Sequence, residues 1–244
     1  MKRSTLVIGL ILVVLIVDQA IKVWVKTHML YGEMIPIFGW DRALIHFVEN
    51  DGMAFGKRFN IPHGKLILSL FRIVAAAFLF FFLRSMLRMK DTPKGVLVSF
   101  ALIFAGAVGN IIDSAFYGML FSDSYPHGLP AVFLPHEGGY SSFLHGKVVD
   151  MFYFPLFDVI LPEWLPGIGG RPFVFFGPVF NLADVAISWG VIQILVFHRQ
   201  YFQHKQSEPT PEQSLVAEQT IADLSVEEKD SASLQNPPQS HEQR

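Results

Sequence analysis

The chain contains no cysteine among its 244 residues. This absence excludes disulfide bonds, thiolate metal sites and a cysteine nucleophile. The H-E-x-x-H motif of zinc peptidases and the G-x-S-x-G motif of serine hydrolases are missing as well. Three histidines, His127, His136 and His145, lie in a segment rich in Gly, Pro and Ser, which is typical of an exposed loop. We therefore expect neither a bound metal nor a cofactor.

Charged residues are scarce, at 16% of the chain, whereas 51% of the residues are hydrophobic and the mean hydropathy is +0.39. Four apolar stretches, at about residues 6–25, 65–83, 96–112 and 176–197, are long enough to cross roughly 30 Å of hydrocarbon. The composition predicts an all-α membrane protein with four transmembrane helices.

The two ends of the chain need separate consideration. Residues 1–20 have the basic start and apolar centre of a secretory signal, but the apolar stretch continues past Asp18 without a clear cleavage site, which favours an uncleaved first helix. Residues 207–244 carry a net charge of −6, which leaves +4 on the rest. We predict a membrane domain over residues 1–202 and a disordered acidic tail over 203–244. The mildly basic domain suits anionic lipid headgroups, and nothing indicates nucleic acid binding.

Basic residues flank the apolar stretches unequally. They gather before the first stretch, in the short link between the second and third, and after the fourth: Lys2, Arg3, Arg84, Arg88, Lys90, Lys94, Arg199 and Lys205. The positive-inside rule then predicts that both termini and this link are cytoplasmic. The longer segments 26–64 and 114–175 are predicted to face outward.

Polar side chains interrupt the apolar stretches in three sets, which are Asp18 with Lys22, Asn110 with Asp113, and Asn181 with Asp184. With the threading above, every set lies toward the outer side of the membrane. A charged side chain there costs at least about 2.5–3.5 kcal/mol, so it needs a partner or a role. The spacing of Asp18 and Lys22 favours a salt bridge along one helix. Asp184 has no basic residue three or four positions away.

The outer segments supply a further aspartate. Residues 44–48 and 148–154 have strand character, and a turn signal at residues 50–52 follows the first run. These runs predict a small sheet at the membrane surface, with Asp150 in its second strand. Residues 119–145 have no strong period and are predicted to form a long, loosely ordered loop.

Asp150 and Asp184 both belong at the outer interface, where they could meet. Two neighbouring carboxyls share one proton near neutral pH, because like charge and burial raise the pKa of one of them. The ionised member can take a proton from water while the other polarises a peptide carbonyl, which is aspartic-protease chemistry. Two alternatives are a proton-coupled transporter and a scaffold whose polar residues hold helices together. Four stretches without an internal repeat count against the transporter.

Five motifs in order match a known family: Asp18-Gln19 with Lys22, and then ENDGMAFG at 49–56, GAVGNIID at 106–113, GKVVDMF at 146–152 and FNLADVAI at 180–187. Over about residues 14–190 the chain resembles lipoprotein signal peptidase, the type II signal peptidase of bacteria. The resemblance implies that Asp150 and Asp184 are the catalytic pair. It also implies that other residues bind substrate or support the site, namely Asn50, Gly52, Asn110, Asp113, Asn181, Asp18 and Lys22.

The resemblance further implies the substrate and the setting. The substrate would be a prolipoprotein whose cysteine carries diacylglycerol, cut just before that cysteine. The enzyme would be a monomer of the inner membrane in contact with membrane lipids, with a small periplasmic β element and its active site near the periplasmic face.

The sequence departs from the family pattern in three places. Ser114 stands where an arginine usually follows the aspartate of the third helix, which leaves Asp113 in need of another partner. Residues 119–145 look like an insertion, and the acidic tail is additional.

Overall fold

The computed structural model describes residues 2–51, 64–199 and 201. The chain divides into two units, Met1–Phe197 and His198–Arg244. All the helices and strands described below belong to the first unit. The predicted acidic tail lies outside the described residues.

The first three apolar stretches form long helices, as predicted. They are α1 (Arg3–His28), α2 (Gly64–Arg88) and α3 (Lys94–Ile112). In the described part of the chain, three helical segments are long and apolar enough to cross a membrane, the third running on to Leu120. Large apolar side chains on α1 and α2 are exposed in the isolated chain, as expected for surfaces that face lipid.

The α-helical part of the third stretch ends at Ile112, as expected, but the chain remains helical beyond it. The chain continues through a π-helical segment, Asp113–Tyr117, into one more turn, α4 (Gly118–Leu120). A wider π turn frees backbone carbonyls, and here these carbonyls accept bonds from a later part of the chain. Leu144 N–H donates to the carbonyl of Ala115 at 3.2 Å, and Gly146 N–H donates to that of Ser114 at 2.8 Å.

The fourth helix begins later than predicted. Residues 172–175 are extended, and α5 spans Leu182–Phe197. Phe180, just before the helix, pairs with Phe152 in an antiparallel bridge, so this part of the chain is held in extended form. At about 1.5 Å per residue, the 16 residues of α5 measure roughly 24 Å. The fourth membrane span therefore remains a prediction.

The predicted small sheet is present and has three strands. Its antiparallel order is β1 (Met34–Ile37), β2 (Trp40–Asn50), β3 (Val148–Tyr153). In its register Val48 lies opposite Asp150, and Asn50 lies opposite Val148. A second, two-stranded sheet was not expected from the sequence. It pairs β4 (Phe157–Ile160) with β5 (Pro172–Phe175).

Helix α3 packs against α1, α2 and α5. A Cβ added at Gly106 would lie 2.2 Å from the carbonyl oxygen of Ala183, so the backbones of α3 and α5 approach closely. Between the helices and the sheet lies an apolar core of Val25, Met29, Phe47, Tyr117, Phe121, Val149 and Met151.

Residues 119–145 are not the loosely ordered loop that the sequence predicted. They contain little regular structure, yet their backbone is bonded to the ends of the long helices. Ala131 N–H donates to the carbonyl of Lys26 at 3.2 Å, and Ser141 N–H donates to that of Gly118 at 2.8 Å. The segment is positioned by carbonyls that helix ends leave without partners.

Candidate active site

Asn110 of α3 lies at the centre of the polar cluster. Its Oδ1 accepts hydrogen bonds from Lys22 Nζ at 2.9 Å and from Asn181 Nδ2 at 3.1 Å. Its Nδ2 donates to Asp184 Oδ1 at 2.9 Å. One amide therefore connects α1, α3 and α5, and the three polar sets found in the sequence meet as expected.

Lys22 is paired with two buried carboxylates. Its Nζ lies 3.0 Å from Asp18 Oδ2, which confirms the expected salt bridge within α1, and 2.8 Å from Asp113 Oδ2. Gln19 Nε2 also donates to Asp113, at 2.9 Å. Lys22 and Gln19 thus supply the partners that Asp113 needs in the absence of an arginine at Ser114. Removal of one member of a buried ion pair costs far more stability than formation of the pair contributes.

At the start of α5, the side chains of Asn181 and Asp184 each accept a hydrogen bond from the other residue's backbone N–H. Asn181 Oδ1 accepts from the backbone N–H of Asp184 at 3.0 Å, and Asp184 Oδ2 accepts from that of Asn181 at 3.3 Å. This is the reciprocal arrangement of a capping box, formed here by Asn and Asp. The bonds fix the Asp184 carboxyl at the start of α5, near the positive end of the helix dipole.

Asp150 projects from β3 into the same cluster. Its Oδ1 accepts from Asn181 Nδ2 at 2.7 Å, and its Oδ2 accepts from Asn50 Nδ2 at 3.2 Å. The side chain is buried, with 4% of the residue exposed. Burial and the neighbouring charge of Asp184 raise the pKa of Asp150 to about 7, although the two amide bonds act in the opposite direction.

Eight of the nine predicted site residues belong to this connected cluster, in which every one has a hydrogen bond or ion pair to another: Asp18, Lys22, Asn50, Asn110, Asp113, Asp150, Asn181 and Asp184. Gly52 lies outside the described residues. Within the described ranges no group of three or more His, Asp or Glu side chains has the arrangement needed to hold a metal ion.

Two polar residues of the site were not singled out by sequence reasoning. Gln19, noted only as part of a motif, donates to Asp113 and accepts from Tyr117 Oη at 3.2 Å. Arg72 of α2 donates to Ser114 Oγ at 3.3 Å. A single arginine inside an apolar stretch is the signal that could have identified Arg72, since such residues mark functional positions in membranes.

A second polar cluster lies on the other side of the sheet. Lys26 Nζ bonds Glu49 and, at 2.9 Å, Ser124 Oγ. Lys147 Nζ lies 3.2 Å from Glu49 Oε2 and 3.0 Å from Asp123 Oδ1. These charges neutralise one another and attach residues 123 and 124 to β2, so this cluster has an evident structural role.

An open apolar groove of about 390 Å³ runs between α2 and α3. Its walls include Ile73, Phe80, Phe104 and Ile111. Ile73 follows Arg72 in the sequence and Ile111 follows Asn110, so one end of the groove lies at the same depth along the helices as these polar residues. Such a surface suits an extended hydrocarbon chain.

Comparison with known proteins gives a consistent result. A family model described as "Signal peptidase (SPase) II" matches residues 10–199. A lipoprotein signal peptidase of Porphyromonas gingivalis is 50% identical over 194 residues, which cover 80% of this chain and 83% of that protein. The corresponding protein of Amoebophilus asiaticus is 35% identical over 198 residues, covering 80% and 78% respectively.

A solved bacterial membrane enzyme, crystallised by the in meso method, has a similar fold. Its TM-score is 0.53 at 21% sequence identity, and the match covers 84% of this chain and 93% of that one. At this identity the likeness concerns the fold alone.

Proposed function

The chain belongs to the signal peptidase II family, and from this premise we propose that it removes signal peptides from diacylglyceryl-modified prolipoproteins. The cut falls just before the lipidated cysteine. Asp150 and Asp184 are the proposed catalytic pair, so the reaction is that of an aspartic endopeptidase. The transporter considered from the sequence is not favoured by membership in a family of peptidases.

The contacts of Asn181 carry this proposal. Its Nδ2 donates to Asp150 at 2.7 Å, while its Oδ1 accepts the backbone N–H of Asp184 at 3.0 Å. A single side chain thus links the two carboxyls, one on a strand and one on a helix. A role limited to holding helices together would not require the carboxyl of β3.

In the proposed reaction Asp184 is ionised and Asp150 is protonated. Asp184 takes a proton from a water molecule, whose oxygen attacks the carbonyl carbon of the scissile peptide. Asp150 donates its proton to the carbonyl oxygen, and a tetrahedral diol forms without a covalent enzyme intermediate. The diol collapses as its C–N bond breaks. The leaving nitrogen receives the proton from Asp184, and Asp150 recovers its own.

Asn50 and Asn110 support this division of roles. Asn50 donates to Asp150 at 3.2 Å, and Asn110 donates to Asp184 at 2.9 Å. Each amide holds one carboxyl in a fixed orientation, which reduces the reorganisation needed in the transition state. Gly52, expected near the substrate, remains part of the proposal.

The proposed setting is the bacterial inner membrane, with both termini in the cytoplasm and the site near the periplasmic face. The enzyme is proposed to work as a monomer in contact with membrane lipids. The groove between α2 and α3 suits one acyl chain of the substrate, and each buried CH₂ contributes about 0.8 kcal/mol. The lipid would then hold the scissile bond at the depth of the carboxyls.

The decisive experiment compares two forms of one precursor, incubated with the purified protein at equal concentration. One form carries diacylglycerol on its cysteine, and the other is unlipidated. We expect mass analysis to show cleavage just before the cysteine in the lipidated form and much slower cleavage in the other. Equal rates would mean that the lipid is not recognised, and a cut elsewhere would contradict the proposed specificity.

A further inference from the structure

The hairpin formed by β4 and β5 has one uniformly apolar face. In its register Phe157 lies opposite Phe175, and Val159 lies opposite Phe173. Residues two apart on a strand share a face, so these four side chains form an apolar ladder on one side of the hairpin. The rings of Phe157 and Phe175 are stacked, with centroids 4.7 Å apart. Each of the four residues is between 42% and 48% exposed, so the described part of the chain leaves this face open.

The opposite face of the hairpin is attached to the main sheet by polar contacts. It carries Asp158, Ile160, Pro172 and Val174. Asp158 Oδ1 accepts from Arg42 Nη1 of β2 at 2.6 Å, and the same nitrogen donates to the carbonyl of Pro155 at 3.2 Å. Both side chains of the ion pair are exposed. One face of the hairpin is therefore apolar throughout, whereas the other combines an ion pair with apolar residues.

Backbone hydrogen bonds close the tip of the hairpin beyond its paired strands. Leu161 N–H donates to the carbonyl of Arg171 at 3.0 Å, and Gly170 N–H donates to that of Leu161 at 2.9 Å. A Cβ added at Gly169 would lie 2.5 Å from the carbonyl oxygen of Glu163, so the tip is closely packed. The hairpin is thus already folded before any partner binds to its apolar ladder.

Such a hairpin needs an apolar partner. Its strands have four residues each, and an isolated two-stranded hairpin is at best marginally stable in water. Exposed apolar patches of this kind mark contacts with other proteins or with membranes. Aromatic residues are enriched at the membrane–water interface, and three of the four residues of the ladder are phenylalanines. The composition of the ladder therefore favours lipid.

The main sheet places the hairpin beside the ends of the long helices. Gly146, just before β3, donates its N–H to the carbonyl of Ser114, just after α3. At its other end, β3 pairs through Phe152 with Phe180, two residues before α5. Strand β3 therefore runs across the helix ends rather than away from them. The hairpin begins four residues after β3 ends, so it lies near the same membrane surface.

The exposed apolar surface continues from the hairpin to α5. Phe176, directly after β5, is 51% exposed, and its ring contacts that of Phe180 with centroids 5.8 Å apart. On α5, exposed apolar side chains follow at i, i+4 and i+7 and form one face of the helix: Val185, Trp189 and Ile192. A stripe of this kind on a helix packed against membrane spans suits contact with lipid. The apolar ladder thus extends a surface that suits lipid.

We propose that the β4–β5 hairpin is a membrane-interface anchor, whose apolar ladder lies against lipid beside the start of α5. A two-stranded sheet leaves backbone N–H and C=O groups unpaired at its edges, and these groups are costly in hydrocarbon. The hairpin therefore lies at the boundary between headgroups and acyl chains. Its ladder faces the chains, and the ion pair of Arg42 and Asp158 faces water. This contact does not depend on the proposed reaction.

Spin labels on introduced cysteines test this arrangement in the full-length protein, reconstituted in phospholipid nanodiscs. The natural chain has no cysteine, so each label has a single site. Val159→Cys puts the label on the apolar ladder. Val174→Cys is the matched control, because it replaces a valine on the opposite face of the same hairpin. Electron paramagnetic resonance measures how often each label collides with oxygen, which concentrates in hydrocarbon, and with a water-soluble nickel chelate.

We expect the ratio of oxygen to nickel collisions to be several-fold higher at position 159 than at position 174. Equal ratios would overturn the proposal, because lipid contact would not be confined to the ladder. A label at position 159 that neither reagent reaches would show that protein covers this face, either another part of this chain or a second copy, and would overturn it as well. If Val159→Cys lowers the thermal stability, Phe173→Cys repeats the measurement on β5, and it should give the same high ratio.

Discussion

The carboxyls of Asp150 and Asp184 have different hydrogen-bond partners, and substitution of each tests its role. We expect Asp150→Asn and Asp184→Asn each to reduce cleavage by at least about 100-fold, because each removes either the acid or the base of the reaction. The measurement is turnover of the lipidated precursor by folded, purified variants. Asp158→Asn is the matched control, since Asp158 is an exposed residue of β4 that pairs with Arg42. Near-normal turnover by either of the first two variants would contradict the assignment.

The raised pKa of Asp150 predicts how activity and stability depend on pH. The proposed reaction needs the Asp150 proton, so activity should fall as pH rises through about 7. Because the folded pKa lies above the usual 3.8, Asp150 stabilises the fold at low pH and this contribution is lost between about pH 4 and 7. Thermal unfolding of Asp150→Asn should therefore depend less on pH than that of the parent. Identical slopes for the two proteins would contradict the buried, protonated carboxyl.

Sequence reasoning located most of this site because hydrocarbon penalises polar side chains. Asp18, Asn110 and Asp184 could be singled out only because their surroundings in the chain are apolar. Partners were harder to foresee. Lys22 contacts Asp113 because α1 and α3 cross at this point. The spacing of residues within one helix does not show where two helices cross. Arg72 was passed over although the same penalty applied to it.

Among the helices, the contact of α3 with α5 positions the site. A Cβ at Gly106 would meet the backbone of α5 at 2.2 Å, and α5 carries Asp184 and begins directly after Asn181. We expect Gly106→Ala to destabilise the fold by about 1–3 kcal/mol and to lower kcat, because the helices must separate. Gly9→Ala in α1 is the control, since no atom lies within 4 Å of an added Cβ there. Equal thermal stabilities of the two variants would show that the close contact is unimportant.

Element boundaries were predictable only where the apolar pattern itself ends. The first three helices agree with their stretches to within a few residues. The pattern could not show that the chain stays helical beyond Ile112, because the freed carbonyls there are bonded by residues about 30 positions later. The start of α5 was obscured because Phe176, Val179 and Phe180 are as apolar as a membrane helix, although they precede it.

At the scale of the whole molecule, the threading through the membrane can be tested directly. The natural chain has no cysteine, so single cysteines can be introduced without a prior background substitution. Glu137→Cys and Asp91→Cys replace exposed acids in the outer segment and in the short link between α2 and α3. A membrane-impermeant maleimide added to intact spheroplasts should label the first and not the second. The opposite pattern would invert the proposed orientation.

The backbone N–H of Ala183 donates a hydrogen bond to Asp18 Oδ1, and this bond bears on the order in which the protein is made. It joins two residues that are 165 positions apart, with a length of 2.9 Å. At ribosomal rates of about 5–20 residues per second, α1 enters the membrane roughly 8–33 s before its partner is synthesised. During that interval the pair formed by Asp18 and Lys22 neutralises itself within one helix. The nascent chain has no complete polar cluster until α5 is made, so the proposed peptidase activity begins only after nearly all of residues 1–197 have been synthesised.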